Sequence, residues 1–124
     1  MIIEWNAHMF SSHTDKYPFH KRAAYTPKPE MLSDAPLGEY MVRMKEEGID
    51  RAILVHPEPY GDDHRLALDC VAARPDLFKT TALFYPKDSD APAKLKELVK
   101  ENPESLVAFR FHAHEKKRQY IHSF

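Results

Sequence analysis

Glycine is scarce in this chain, with three in 124 residues and none near the end of its first apolar run. An open nucleotide-binding sheet normally carries a Gly-rich first turn, because only glycine lets backbone amides close around a phosphate. No such cradle can form here. The single cysteine, Cys70, excludes an internal disulfide. No apolar run approaches the roughly 20 residues of a membrane span. The opening Met1-Ile2-Ile3-Glu4-Trp5 lacks the basic segment and long apolar stretch of a signal peptide. Charge of either sign is not in excess: 18 basic and 19 acidic side chains leave a net charge of -1. No global field therefore draws in nucleic acid or anionic lipid. The cluster Lys116-Lys117-Arg118 is too short to be a footprint. A soluble, cytoplasmic protein without nucleic-acid or membrane partners is expected.

What is present is a rhythm. Four apolar runs, each ended by a polar, Pro-rich or His-rich break, alternate with helical patterns. Met1 to Ala7 reads as a first strand. Residues 10 to 30 hold three prolines and no sustained period, so they read as loop. Phe10, Tyr17, Phe19 and Tyr25 suggest that this loop is a packed lid. In the first helix Ser33 or Asp34 can cap, Pro36 suits the first turn, and Leu37, Tyr40, Met41 and Met44 fall at helical spacing before Gly48. Arg51 to Val55 is a near-continuous apolar strand, as expected when both faces are covered. Pro57, Pro59 and Gly61 make the next loop. Asp62 or Asp63 caps a second helix with Leu66, Ala67, Cys70 and Val71 on its apolar face, closed by Pro75. Phe78 to Phe84 is the third strand. Asp90 caps a third helix opened by Pro92 and facing inward through Leu95, Leu98 and Val99, and Asn102-Pro103 stops it. Leu106 to Phe111 is the fourth strand.

Strand-helix alternation of this kind builds a parallel sheet, and its right-handed crossovers set consecutive strands side by side. An open doubly wound sheet and a run of (β/α)8-barrel units both satisfy these rules. The missing Gly-rich turn favours the barrel, giving an α/β fold in which residues 1–124 form a single partial barrel, its first four β/α units. The chain reads as the first half of a larger domain. Ligands of parallel sheets sit at the carboxyl ends of the strands. Those ends here are Asn6 to Phe10, Val55 to Glu58, Leu83 to Pro86 and Arg110 to His114.

At those ends the residues resemble a known family. Ile2-Ile3-Glu4-Trp5-Asn6-Ala7-His8-Met9-Phe10 resembles the opening strand of the amidohydrolase superfamily. More narrowly it resembles the amidohydrolase-2 group, with its aminocarboxymuconate-semialdehyde decarboxylase-like and pyrone-dicarboxylate lactonase-like enzymes. That opening usually reads D-x-H-x-H. Gly48 to Pro57 is similar to the family's second strand and its lead-in, and Tyr60-Gly61-Asp62-Asp63 to the turn after it. Ala73-Arg74-Pro75-Asp76-Leu77-Phe78 is similar to a helix-to-strand step, and Val107 to His112 to the G-V-R-F strand.

The resemblance implies roles. In metal-dependent members the two histidines of the first strand bind a divalent metal such as zinc. Here the first matches His8, but Phe10 stands where the second would be and Asn6 replaces the acidic residue. The other ligands and the catalytic aspartate come from later strands of the family, beyond this chain. One imidazole cannot hold zinc in a site needing three or four donors. Some lactonase-like relatives need no metal, and by this resemblance Phe10 marks that branch. In lactonase-like members the arginine matching Arg110 grips a substrate carboxylate, which suits a planar, bidentate, permanently charged guanidinium. Lys117 or Arg118 could add a second contact.

The resemblance implies the amino-terminal part of a hydrolase acting on a small carboxylated cyclic substrate such as a lactone. Water attacks the carbonyl, Arg110 orients the anion and His8 lies near the developing charge. The chain alone is expected to be inactive. A decarboxylase of the same fold is one alternative. A non-catalytic half-barrel that homodimerises as a binding or assembly module is another, because unpaired edge strands invite pairing.

His8 is thus a candidate catalytic group and metal ligand, against a plain hydrogen-bonded histidine at a strand end. His56, Glu58, Tyr85 and His112 are candidate substrate contacts beside Arg110. Their bland readings are a packed polar strand end for His56, an exposed loop carboxylate for Glu58 and solvated loop histidines for His112 and His114. Tyr60 joins Tyr85 as a candidate mouth residue. Cys70 reads as core, and His13, His20, His64 and His122 read as surface.

Overall fold

The computed structural model describes residues 1–112. Its elements alternate as read from the sequence: β1 (Ile3–Ala7), α1 (Pro36–Glu47), β2 (Arg51–Leu54), α2 (Arg65–Ala73), β3 (Phe78–Leu83), α3 (Ala91–Glu101) and β4 (Leu106–Arg110). Short 3-10 turns cover Pro29–Met31 and Glu58–Tyr60. The strands form one parallel sheet in the order β1-β2-β3-β4.

Helix ends follow local chemistry, with some caps displaced. Pro36 opens α1, where its missing N–H costs nothing. Gly48 ends that helix in the left-handed region at φ 69°, donating its N–H to the Met44 carbonyl. The N-cap of α1 is Ala35, not Ser33 or Asp34, yet Ser33 Oγ accepts the Ala35 N–H at 3.0 Å. His64 takes the N-cap of α2, and Asp63 accepts the Arg65 N–H at 3.2 Å. Asp90 does cap α3 by position, but its carboxylate pairs with Lys94 one turn on, at 3.1 Å.

All three helices pack on one face of the sheet. Ala52, Leu54 and Phe78 share that face by register and cluster with Met44 of α1 and Leu66, Cys70 and Val71 of α2. Two and four residues beyond Phe78, Thr80 and Ala82 point the same way, and Ala82 packs with Ala91, Leu95 and Leu98 of α3. The other face carries Arg51, Ile53 and Lys79 toward the amino ends, none of them buried, and Thr81 and Leu83 toward the carboxyl ends, both buried. The cover that a near-continuous apolar strand implies for both faces is thus met toward the carboxyl ends, while helices lie on one face only. A doubly wound sheet would place helices on both sides. β1 and β4 are the sheet's edges, and each carries a register shift where it meets its neighbour.

The loop between β1 and α1 is packed. Phe10 and Tyr17 are buried, and the rings of Phe10 and Phe19 lie 6.2 and 5.3 Å from that of Tyr60. Tyr17 Oη donates to Asp69 of α2 at 2.5 Å. Cys70 is core as expected, and burial pushes its thiol up to about 11. Among the described residues no helix is long and apolar enough to cross a membrane.

Candidate functional site

The carboxyl ends of the strands bring several of the candidate residues together, through backbone rather than through one another. Val55 and His56, just past β2, are the meeting point. His8, just past β1, has Nδ1 3.0 Å from the Val55 carbonyl. Only an N–H can meet a carbonyl, so this contact places the proton on Nδ1 and leaves the Nε2 lone pair open. Partial burial, and then the charge of Arg110, hold the His8 pKa below its ordinary value. His8 is therefore a neutral imidazole whose acceptor nitrogen meets no hydrogen-bond donor among the described residues. Arg110, the last residue of β4, donates from Nη1 to the His56 carbonyl at 3.4 Å. The ends of the two edge strands thus place one base and one cation against the backbone that follows β2, on the same side of the sheet.

His56 itself is fully buried. Its Nε2 donates to the Gly61 carbonyl at 2.7 Å, its backbone N–H donates to Thr81 Oγ1 at 3.2 Å, and Nδ1 meets no polar partner among the described residues. Burial, followed by the neighbouring His64 and then other charges, lowers its pKa to about 3. The ring stays neutral and behaves as a structural hub, and its backbone carbonyl is what faces Arg110. His64 was expected at the surface. It is buried instead, with its ring 4.5 Å from that of His56 and Nε2 accepting the Leu83 N–H at 2.9 Å. A strand end needed an acceptor for that amide, and tertiary packing supplied one.

Glu58 is not an exposed loop carboxylate but only 2% exposed, and both its oxygens accept the Ala24 N–H at 3.0 Å. Tyr85 is likewise buried, with its hydroxyl 3.2 Å from His20 Nδ1 and the Arg22 guanidinium 3.7 Å over its ring. Tyr60 is buried, and its hydroxyl accepts the Ser11 N–H at 2.9 Å. Together these contacts strap residues 20–24 across the ends of β2 and β3. The His20 N–H reaches the Pro59 carbonyl at 2.7 Å, His20 Nε2 lies 3.3 Å from Asp62, and Arg22 pairs with Asp88 at 2.7 Å. His20 is thus a tie rather than a surface group, whereas His13 is exposed as expected.

Gly61 is what lets the strap lie so close. Its φ of 59° and ψ of -131° fall where L side chains rarely go, and a Cβ there would sit 2.5 Å from His20 Cγ and 2.7 Å from the Tyr85 hydroxyl oxygen. Tyr25, next to the clamped Ala24, is half exposed; burial first and the Glu58 charge second push its hydroxyl pKa up, while Arg110 pulls it down. Sequence reading placed Tyr25 in the lid but not beside Glu58 and Arg110, since nothing in its local pattern records a partner 33 or more residues away.

A metal finds few donors. Among the described residues no three His, Cys, Asp or Glu side chains come together to hold one. Phe10 is packed into the core, leaving His8 as the imidazole of that strand. His112 ends the described segment; His114, Lys116, Lys117, Arg118 and His122 lie outside the described residues.

No family model matches the chain. It is similar to the 4-sulfomuconolactone hydrolase of Hydrogenophaga intermedia, 35% identical over 94 residues that cover 76% of this chain and 28% of the relative. The 4-sulfomuconolactone hydrolase of Rhizobium radiobacter is 32% identical over 68 residues, covering 54% of this chain and 21% of the relative. The chain thus spans about a quarter of the length of the curated relatives it matches. Its fold matches a crystal structure of a probable 2-pyrone-4,6-dicarboxylic acid hydrolase from Acinetobacter baumannii with citric acid bound. The TM-score is 0.69 at 22% identity, over 89% of this chain and 37% of that one.

Proposed function

We propose that this chain forms four consecutive units of an eight-stranded barrel in a hydrolase that opens a small cyclic ester bearing an anionic group. The observation that carries the reading is Arg110 at the carboxyl end of an edge strand, beside the neutral imidazole of His8. The one-sided cover of helices supports the barrel over a doubly wound sheet. The relatives, by name, act on a sulfomuconolactone, a cyclic ester carrying an anion, and the fold neighbour's named substrate is a pyrone dicarboxylic acid. These names favour hydrolysis over the decarboxylation that the same fold could host.

The division of labour follows from the geometry. Arg110 offers a permanently charged fork to a carboxylate or sulfonate, and among the described residues it donates to a backbone carbonyl. The open Nε2 of His8 can accept a hydrogen bond from the water or alcohol that is to lose a proton. Glu58 and Tyr85 hold the strap that forms one wall of the mouth, and His56 anchors the turn beneath it. His112 continues β4 toward the same rim. Among the described residues the donor set does not fit a divalent metal, since His8 offers one nitrogen where three or four donors are needed.

The test is calorimetric binding of 2-pyrone-4,6-dicarboxylate, with and without Arg110. Loss of a charged hydrogen-bond partner weakens binding by about 1.5–3 kcal/mol, or roughly 10- to 100-fold. R110A is expected to fall in that range and R110K to recover part of it. Equal affinity for R110A, or equal binding of an uncharged lactone, would overturn the assignment. Binding by this chain without ring opening is the expected result.

A further inference from the structure

β2 stops at Leu54, opposite Thr80, while β3 runs on to Leu83. Amides alternate sides along a strand. The Thr80 N–H reaches the Ser105 carbonyl on the β4 side at 2.8 Å, so the amides of Thr81 and Leu83 face the β2 side. Leu83 lies past the end of β2, and a side chain takes the place of a strand carbonyl: His64 Nε2 accepts the Leu83 N–H at 2.9 Å. An imidazole accepts only through a lone pair, so this bond requires the uncharged ring with its proton on Nδ1. A second proton, taken from solvent onto Nε2, sets N–H against N–H and leaves the Leu83 amide without its acceptor.

What that amide holds is the anion site. Leu83 is the register partner of Arg110. Phe84 stacks on Phe109 at 6.3 Å, and Tyr85 carries the Arg22 guanidinium over its ring. The end of β3 therefore steadies both the strand end at Arg110 and one anchor of the strap. The His56 N–H bond to Thr81 Oγ1 does not involve the His64 ring, so losing the Leu83 bond opens the strand end rather than the sheet.

The surroundings of His64 let a proton arrive and make the closed ring resist it. The residue is 4% exposed, and burial first holds its pKa below the ordinary value, against the pull of Asp62. A groove of about 340 Å³ nevertheless reaches the ring, between Asp62 and Asp63 of its own turn and Lys94, Glu97 and Glu101 of α3. From the end of β2 the His56 ring faces it at 4.5 Å, with Arg110 beyond on the His56 carbonyl, and from β3 the Phe84 ring lies at 5.0 Å. His20 of the strap stands behind Asp62, 3.3 Å away.

We propose that His64 is an acid-sensitive latch of the anion site: its uncharged ring holds the end of β3 in place, and protonation at Nε2 releases Leu83 and loosens Arg110. This rests on the reading of Arg110 as the anion site and adds its regulation.

The experiment follows the Leu83 amide by NMR hydrogen exchange from pH 7.5 to 5, corrected for the intrinsic pH dependence of exchange. Calorimetric titrations of 2-pyrone-4,6-dicarboxylate run at the same pH values. Leu83 should exchange at least roughly tenfold faster than Val71, buried in α2, because its opening is local. Below about pH 6.5, the ordinary value of a released histidine, its protection should fall by up to about tenfold per pH unit. Affinity for the dicarboxylate should fall several-fold by pH 5, whereas protonation of His8 alone would raise it. H64Q puts an amide oxygen near the place of Nε2 and takes up no proton, so its Leu83 protection and its affinity should stay level with pH. Wild-type Leu83 protection that is level with pH, or a fall of the same size in H64Q, overturns the latch. Equal protection of Leu83 and Val71 at every pH makes the opening global and also overturns it; that comparison needs no variant. Falling protection with constant affinity breaks the link to Arg110. Absence of binding at pH 7.5 refutes the anion site alone, and Leu83 exchange still decides the latch.

Discussion

His56 and Gly61 depend on each other. The buried imidazole satisfies the Gly61 carbonyl, and that carbonyl points inward only because the glycine adopts a φ of 59°. The pair makes two expectations. First, G61A meets both strained backbone and a clash with His20 and Tyr85, and should destabilise the protein by on the order of 3 kcal/mol. Urea denaturation measures it, and a loss below the error of the midpoint would show that the strap gives way freely. Second, His56 titrates at about 3 in the folded protein against about 6.5 unfolded. Below pH 6.5 the unfolded chain takes up a proton that the folded ring refuses, so stability falls as pH drops toward 3 and is unaffected above 6.5. The slope for His56 is about 1.4 kcal/mol per pH unit, and the lowered pKa of buried His64 adds in the same direction. Urea midpoints between pH 7.5 and 5 lie above the carboxylate range, and a flat profile there would contradict the neutral pair.

At the scale of elements, the strap over 20–24 behaves as a wall fastened to two turns. Glu58 ties it to the turn after β2, and Tyr85 and Asp88 tie it to the turn after β3. Removing the Glu58 carboxylate releases the Ala24 amide while leaving the sheet and helices intact. With a charged hydrogen bond worth about 1.5–3 kcal/mol, local opening in E58A should rise roughly tenfold or more. Trypsin cleavage after Lys21 and Arg22 reads this out. Unchanged cleavage with an unchanged melting temperature would mean that the remaining ties carry the strap. The aromatic content of the loop made its packing legible in the sequence, since Phe10, Tyr17 and Phe19 cannot all stay in water. Its anchors were not legible. Glu58 and Tyr85 look like mouth residues by position, and only their partners show that one clamps an amide and the other supports a guanidinium.

At the scale of the whole molecule, one-sided cover is the governing feature. It leaves Ile3, Trp5 and Val107 in solvent at the two sheet edges, where further chain or a second copy would pair. If a second copy pairs there, folding is coupled to concentration, and the melting temperature should climb with protein concentration by mass action. Scanning calorimetry across a hundredfold concentration range checks this, and a constant melting temperature would count against any stabilising partner copy.

The sequence by itself determined the order of elements, because periodicity, Pro36, Gly48 and Pro92 are local signals that act within one turn of helix or strand. It also placed His8 and Arg110 at strand ends, since a parallel sheet brings all carboxyl ends to one side. Only the tertiary structure decided that His64 is buried, that Glu58 clamps Ala24, that His56 lends a carbonyl rather than a ring, and that all three helices take one face. Each of these rests on a contact or a packing choice between segments distant in the chain. A hydrogen-bond partner or a covered face is a property of the pair, and no local pattern in either segment records it.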